Sequence, residues 1–202
     1  MVGVPAIARL KFNCYLRTMN KKGSDGGEPV VRRATRDDLE AVAAIYESIH
    51  ELEASRRLTV GWRRGVYPVY DTAAGALAAG SLFVMESDDR VVASAIINSL
   101  QPEAYAGVEW LYPAAPERVG VLHTLVVDPR QGHRGLGRRF VAFFEDYCRR
   151  QGLEVARLDT QVVNTRPFNL YPRLGYRLAG IETTRFENLP RPVRLAMFEK
   201  KL

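Results

Sequence analysis

The chain has 202 residues, 47% hydrophobic and 26% charged, which fits one globular domain with a sizeable core and excludes an intrinsically disordered chain. No run of about 18 apolar residues occurs, so a membrane-spanning helix is excluded, and two cysteines, Cys14 and Cys148, are too few for a disulfide framework. A net charge of +6 suits an anionic ligand or a nucleic-acid surface. Position favours the former, because Arg130, His133, Arg134, Arg138 and Arg139 crowd around one glycine turn.

In chain order, the first 28 or so residues read differently from the rest. Lys21-Lys22-Gly23-Ser24-Asp25-Gly26-Gly27 is linker-like, and Val2 to Ala8 is too short for a secretory signal. A flexible extension over 1–28 is therefore expected, with translation from Met19 as one reading of the contrast, and a folded domain over 29–202. Val30 to Thr35 reads as a first strand, and Thr35 or Asp37 as the cap of a helix whose apolar stripe is Leu39, Val42, Ala43, Tyr46 and Ile49. The aromatic segment Trp62 to Tyr70 leads into a short helix near Thr72 to Ala79, ended by Gly80. Strands follow at Leu82 to Glu86, Val91 to Asn98 and Val121 to Val127, the first two joined by an Asp88-Asp89 hairpin turn. The long loop Leu100 to Gly120 has the length of a functional loop. A helix from Gly135 to about Arg150 buries Phe140, Phe143, Phe144 and Tyr147. Val155 to Gln161 is a fifth strand, Thr165 to Leu174 a short helix, and Tyr176 to Ile181 and Leu195 to Lys201 the last strands. This order reads as α/β, a mixed sheet with helices on both faces.

The chemistry centres on the junction after the fourth strand. The chain runs from Val127 through Asp128-Pro129 and Gly132-His133-Arg134-Gly135-Leu136-Gly137 into a helix. Glycines there let the backbone approach a ligand, and the free N–H groups and dipole of a helix start favour a pyrophosphate, with Arg134 and Arg138 adding charge. Taken alone, the turn could belong to several nucleotide-binding folds. No Lys-Ser or Lys-Thr follows Gly137, which argues against a P-loop, and repeated strand-helix-strand units are missing, which argues against a Rossmann domain.

The run Asn164-Thr165-Arg166-Pro167-Phe168-Asn169-Leu170-Tyr171-Pro172-Arg173-Leu174-Gly175-Tyr176 begins just after the next strand. Together the two clusters resemble the GNAT superfamily of N-acetyltransferases, closely over Val121 to Ile181 and loosely over Val30 to Asn98. The resemblance implies a mostly antiparallel sheet with a V-shaped splay between its fourth and fifth strands, and acetyl-CoA as acyl donor. It implies that Leu125 and Val127 pair through their backbones with the pantetheine arm. The N–H groups of His133, Arg134, Gly135, Leu136, Gly137 and Arg138 would hold the pyrophosphate, Asn164 would bond the pantetheine, and Tyr171 would sit by the thioester sulfur. Two departures stand out: Gly132 occupies a position usually Arg or Gln, and His133 one that is often Gly. Pro172 is expected to kink or shorten its helix.

In such an enzyme an amine attacks the thioester directly, so Tyr171 is the candidate general acid and His123 the candidate base. Strict alternation along the strand puts His123 on the side of Leu125 and Val127; a satisfied core histidine is the competing reading, and Glu109 and Glu51 are weaker alternatives. Tyr46, Glu51, Trp62, Tyr67, Tyr70, Tyr105 and Trp110 are nominated for the acceptor, either a small amine or a protein N-terminus or lysine. No metal site is expected. A cytoplasmic protein binding neither membrane nor nucleic acid is expected, and pairing into a homodimer stays open. An idle acyl-CoA-binding sensor or scaffold is the alternative function.

Overall fold

The computed structural model describes residues 28–132, 134–187 and 189–202. The linker-like 1–27 segment, with Cys14 and Met19, lies outside the described residues, as does His133. Seven strands form one sheet in the order β1-β2-β3-β4-β5-β7-β6: β1 is Val30–Arg33, β2 Leu82–Ser87, β3 Arg90–Asn98, β4 Val119–Val127, β5 Val155–Gln161, β6 Arg177–Thr184 and β7 Val193–Lys201. Every neighbouring pair is antiparallel except β4 and β5, which run parallel. Asp88 and Asp89 both take positive φ (52° and 58°), the two-residue turn whose twist suits a hairpin.

Two helices, α1 (Leu39–Ala54) and α2 (Tyr70–Ala78), cover one face over β2 to β4. Thr35 caps the short 3-10 turn before α1, its backbone N–H donating to Asp38 Oδ2 at 2.7 Å. Val42, Ile45, Tyr46 and Ile49 follow at helical spacing and are all buried against Leu82, Val84 and Val126. On the opposite face lie α3 (Leu136–Arg150) and α4 (Thr165–Arg173). Phe140 and Phe144 of α3 are fully buried, packing with Ala95, Leu158 and Phe198, whereas Phe143 and Tyr147 sit at the margin beside Phe83. Pro172 sits in the last turn of α4, which remains a nine-residue helix ending one residue later.

The rest of the first face, over β4 to β7, is covered by no α-helix among the described residues. The loop between β3 and β4 lies there, burying Tyr105 and Val108 against Val121, Val155 and Met197. Glu199 of β7 is wholly buried and holds this loop, accepting from the backbone N–H groups of Leu111 (2.7 Å) and Tyr112 (3.2 Å) and from Arg177 (2.9 Å). The Arg157 guanidinium lies 4.0 Å above the Trp110 ring. The long loop thus chiefly covers the core. Among the described residues no helix is long and apolar enough to cross a membrane, and no three His, Cys, Asp or Glu side chains cluster to hold a metal.

Candidate active site

β4 and β5 pair only from Val119–Val155 to Leu122–Leu158. Beyond Leu122 they diverge, leaving the β5-facing edge of His123 to Val127 without a strand partner. The wedge opens into a cavity of about 390 Å³. Leu125 of β4, with Asn164, Pro167 and Tyr171, lines one part of it; Trp62, Tyr67, Phe186, Leu189 and Leu195 line another. His123, Asp159 and Gln161 also face it.

A bulge in β4 sets which residues face which way. Ser94 pairs with Val126 and Ile96 with His123, so Thr124 and Leu125 together oppose one residue of β3, and Thr124 takes a φ of 50°. Leu125 and Val127 accordingly pack towards α3 and α4, while His123 shares the face of its partner Ile96, which packs towards α1. The alternation expected from sequence is corrected here: His123 is on the opposite face from Leu125 and Val127, and reaches the cavity because the wedge opens through the sheet.

At the start of α3, Gly135 is left-handed (φ 72°) and a Cβ there would meet nothing within 4 Å, so conformation rather than space calls for glycine. Arg139 N donates to Gly135 O, the first intrahelical bond, which leaves the N–H groups of Leu136, Gly137 and Arg138 free of helical partners. Arg134 and Arg138 are exposed beside them, Arg134 donating to Gln131 Oε1 at 2.7 Å. Gly137 packs near Leu170, which joins the turn to α4. Asn164 occupies the N-cap position of α4 yet makes no side-chain cap bond, so its carboxamide is available to a ligand.

Tyr171 is 5% exposed and lines the cavity; its hydroxyl has no hydrogen-bond partner among the described residues. Burial, helped by the nearby Asp159 charge, holds its phenol well above the usual range, so it stays protonated at neutral pH. His123 lies 3.0 Å from Asn98 Oδ1 through Nε2; with the proton there, Nδ1 keeps its lone pair. Burial lowers the His123 pKa below its ordinary value, which keeps the ring neutral at pH 7.

Asp159 was not legible as a site residue; the one signal was a carboxylate between Leu158 and Thr160 within a strand. It is half-buried at the opening of the wedge, and the Tyr105 hydroxyl donates to its Oδ2 at 3.1 Å. Burial pushes its carboxyl above the usual carboxylate range, against the pull of that hydrogen bond. The aromatic wall is also anchored in ways the sequence did not announce. Glu53 of α1 accepts from the backbone N–H groups of Val60, Gly61 and Trp62 (3.3, 2.7 and 3.3 Å), and Gln161 donates to Gly61 O at 2.7 Å. Gly61 is left-handed (φ 82°), which favours glycine where the loop meets the end of the Gln161 side chain.

Of the nominated acceptor residues, Trp62 and Tyr67 line the cavity and Tyr105 reaches Asp159. Tyr46 is core, Trp110 supports Arg157, and Glu51 and Tyr70 are exposed and line no part of the cavity; the same holds for Glu109, the other weaker alternative for the base.

Residues 43–176 match the family model described as the acetyltransferase (GNAT) family. No curated protein matches the chain by sequence. Among solved structures, an acetyltransferase of the GNAT family from Streptococcus agalactiae superposes with a TM-score of 0.71 at 18% identity, covering 88% of this chain and 98% of its own. A Salmonella typhimurium protein, described as an acetyltransferase and solved with its cofactor acetyl-CoA, gives 0.62 at 18% identity over 87% and 94%. The ribosomal-protein-S18-alanine N-acetyltransferase of Escherichia coli gives 0.61 at 18% over 86% and 94%. At such identities the likeness is one of fold.

Proposed function

The chain belongs to the acetyltransferase (GNAT) family, and from that premise we propose that it transfers an acetyl group from acetyl-CoA to a primary amine by direct attack in a ternary complex. The observation that carries this reading is the wedge between β4 and β5, where an unpaired strand edge, an uncommitted Asn164 carboxamide and a protonated Tyr171 meet in one cavity.

The residues present fit acetyl-CoA. The open edge of β4 at Leu125 and Val127 offers backbone groups to an extended amide-bearing arm, and Asn164 stands across from it. The free N–H groups at Gly135 to Arg138, flanked by the Arg134 and Arg138 side chains, suit a pyrophosphate. When bound, acetyl-CoA supplies an activated acyl carbon, at which the C–N bond forms as the C–S bond breaks. An ammonium acceptor gives up two protons overall, one to a base of the protein and one that ends on the departing thiol. His123, neutral through burial, takes a proton through Nδ1. Tyr171 donates a hydrogen bond to the sulfur. With a thiol pKa near 8.5 as reference, full transfer from a phenol of raised pKa is uphill, so its contribution is stabilisation of developing thiolate charge.

Isothermal titration of the purified chain with acetyl-CoA tests this reading. Binding is expected, weakened about 10–100-fold by Arg134→Glu, the worth of one charge-assisted contact. A wild-type chain that takes up no acetyl-CoA would overturn it.

A further inference from the structure

Resting on that reading, the geometry points to the class of acceptor: we infer that the site takes a compact primary amine with a single positive charge and an apolar, ring-sized body, held by its ammonium at Asp159, and that it does not take polypeptides.

The acceptor part of the cavity is walled by Trp62, Val66, Tyr67, Phe186, Leu189 and Leu195. Trp62 and Tyr67 stand edge to face, ring centroids 6.0 Å apart, and present aromatic surface suited to an apolar body. Several polar side chains in the same wall are already partly engaged. His123 is bonded to Asn98, Thr124 to the Tyr67 hydroxyl, and Gln161 to the Gly61 carbonyl. Asp159 differs because it is the one carboxylate lining the cavity among the described residues; Tyr105 occupies only its Oδ2, and the other oxygen has no protein partner there. An ammonium placed against that oxygen favours the ionised carboxylate, gains a charge-assisted bond, and stands where β4 and β5 part.

A peptide acceptor would bring several amide groups against the apolar side chains of Trp62, Val66, Tyr67, Phe186, Leu189 and Leu195, where any left unpaired would weaken binding. A second cation on the acceptor would find no second carboxylate in the cavity, and would meet Arg63, which lines it and is exposed with no ion pair among the described residues. The same single carboxylate disfavours amino acids, whose carboxylate would be drawn in beside Asp159.

The test uses the full chain and thiol release from acetyl-CoA with four acceptors: 2-phenylethylamine, spermidine, phenylalanine, and a short peptide with a free N-terminus and one lysine. The expected result is a kcat/KM for 2-phenylethylamine at least 100-fold above the other three. Asp159→Asn, which keeps the shape and can still accept from Tyr105, should raise the KM for 2-phenylethylamine at least 30-fold while the Kd for acetyl-CoA by titration stays within twofold. Arg63→Glu should narrow the gap between 2-phenylethylamine and spermidine. Peptide turnover equal to or above that of 2-phenylethylamine, or an Asp159→Asn enzyme with unchanged KM, would overturn the inference while leaving the acetyl-CoA reading intact. Loss of acetyl-CoA binding by the wild type would instead remove the premise, and the inference with it.

Discussion

The first half of β4, Val119–Leu122, and its second half, His123–Val127, are similarly apolar in sequence and behave as different objects. The first half is paired with β5 throughout and with β3 as well at Val121 and Leu122, Val119 and Val121 have no exposure, and Gly120 lies so close to α3 that a Cβ would clash with Cys148 Sγ. The second half keeps β3 on one edge only, carries a bulge, and is half-buried at four of its five residues. Hydrophobicity therefore does not distinguish core from site here; strand pairing does. An unpaired strand edge inside a protein leaves backbone N–H and C=O groups unmet, which is costly unless something extended can take the neighbour's place. Withdrawing β5 after Leu122 makes that place.

This contrast can be broken at either end. The largest effect is expected in the open half: Tyr171→Phe should lower kcat by about 10²–10³-fold, the usual worth of one hydrogen-bond donor to developing charge, with acetyl-CoA affinity and thermal midpoint nearly unchanged. Equal losses of activity and stability would instead make Tyr171 a packing residue. In the closed half, Gly120→Val should cost about 1–3 kcal/mol through overpacking against Cys148, read as a fall in Tm of roughly 2–4 °C per kcal/mol. Any activity lost there should track the folded fraction. The smallest effect sharpens the open half alone. Because burial lowers the His123 pKa, the base is neutral down to a lower pH than a free imidazole, so the acid limb of kcat/KM should lie below about 6.5. The sign for stability agrees: the unfolded chain binds the His123 proton more readily, so this residue begins to favour unfolding only as pH falls below that value. Loss of the acid limb in His123→Gln, with residual turnover, would identify it as the titrating group; an unshifted limb would pass the role to another group.

Much of the fold could be read from the residues, because the periodicities were clean. Val155–Gln161 stands as expected, the Asp88-Asp89 hairpin forms, and the seven-stranded mostly antiparallel sheet is flanked by helices on both faces. The left-handed Gly135 at the start of α3 and the Asn164–Tyr176 run beside the cavity were legible because both depend on local backbone geometry. What escaped depends on contacts distant in sequence. The β3–β4 loop looked like a functional loop by its length, but its main partner, Glu199, lies nearly ninety residues away. Asp159 became conspicuous only once Tyr105, 54 residues earlier, was seen to donate to it. The facing of His123 failed for a different reason: periodicity assumes an unbroken strand, and one extra residue at Thr124 reverses it.

That extra residue also matters for transplanting this site. A designer who copies Val121 to Val127 into another parallel pair, on a strand without the left-handed residue at Thr124, would carry over every letter of the motif. The imidazole would then fall on the side of Leu125 and Val127, away from the face it shares with Ile96, and the proposed base would no longer stand where the proposal needs it. The unit to graft is therefore the strand with its irregularity and with the β3 register that holds it, so comparisons between distant relatives should be aligned on hydrogen-bond partners rather than on residue count.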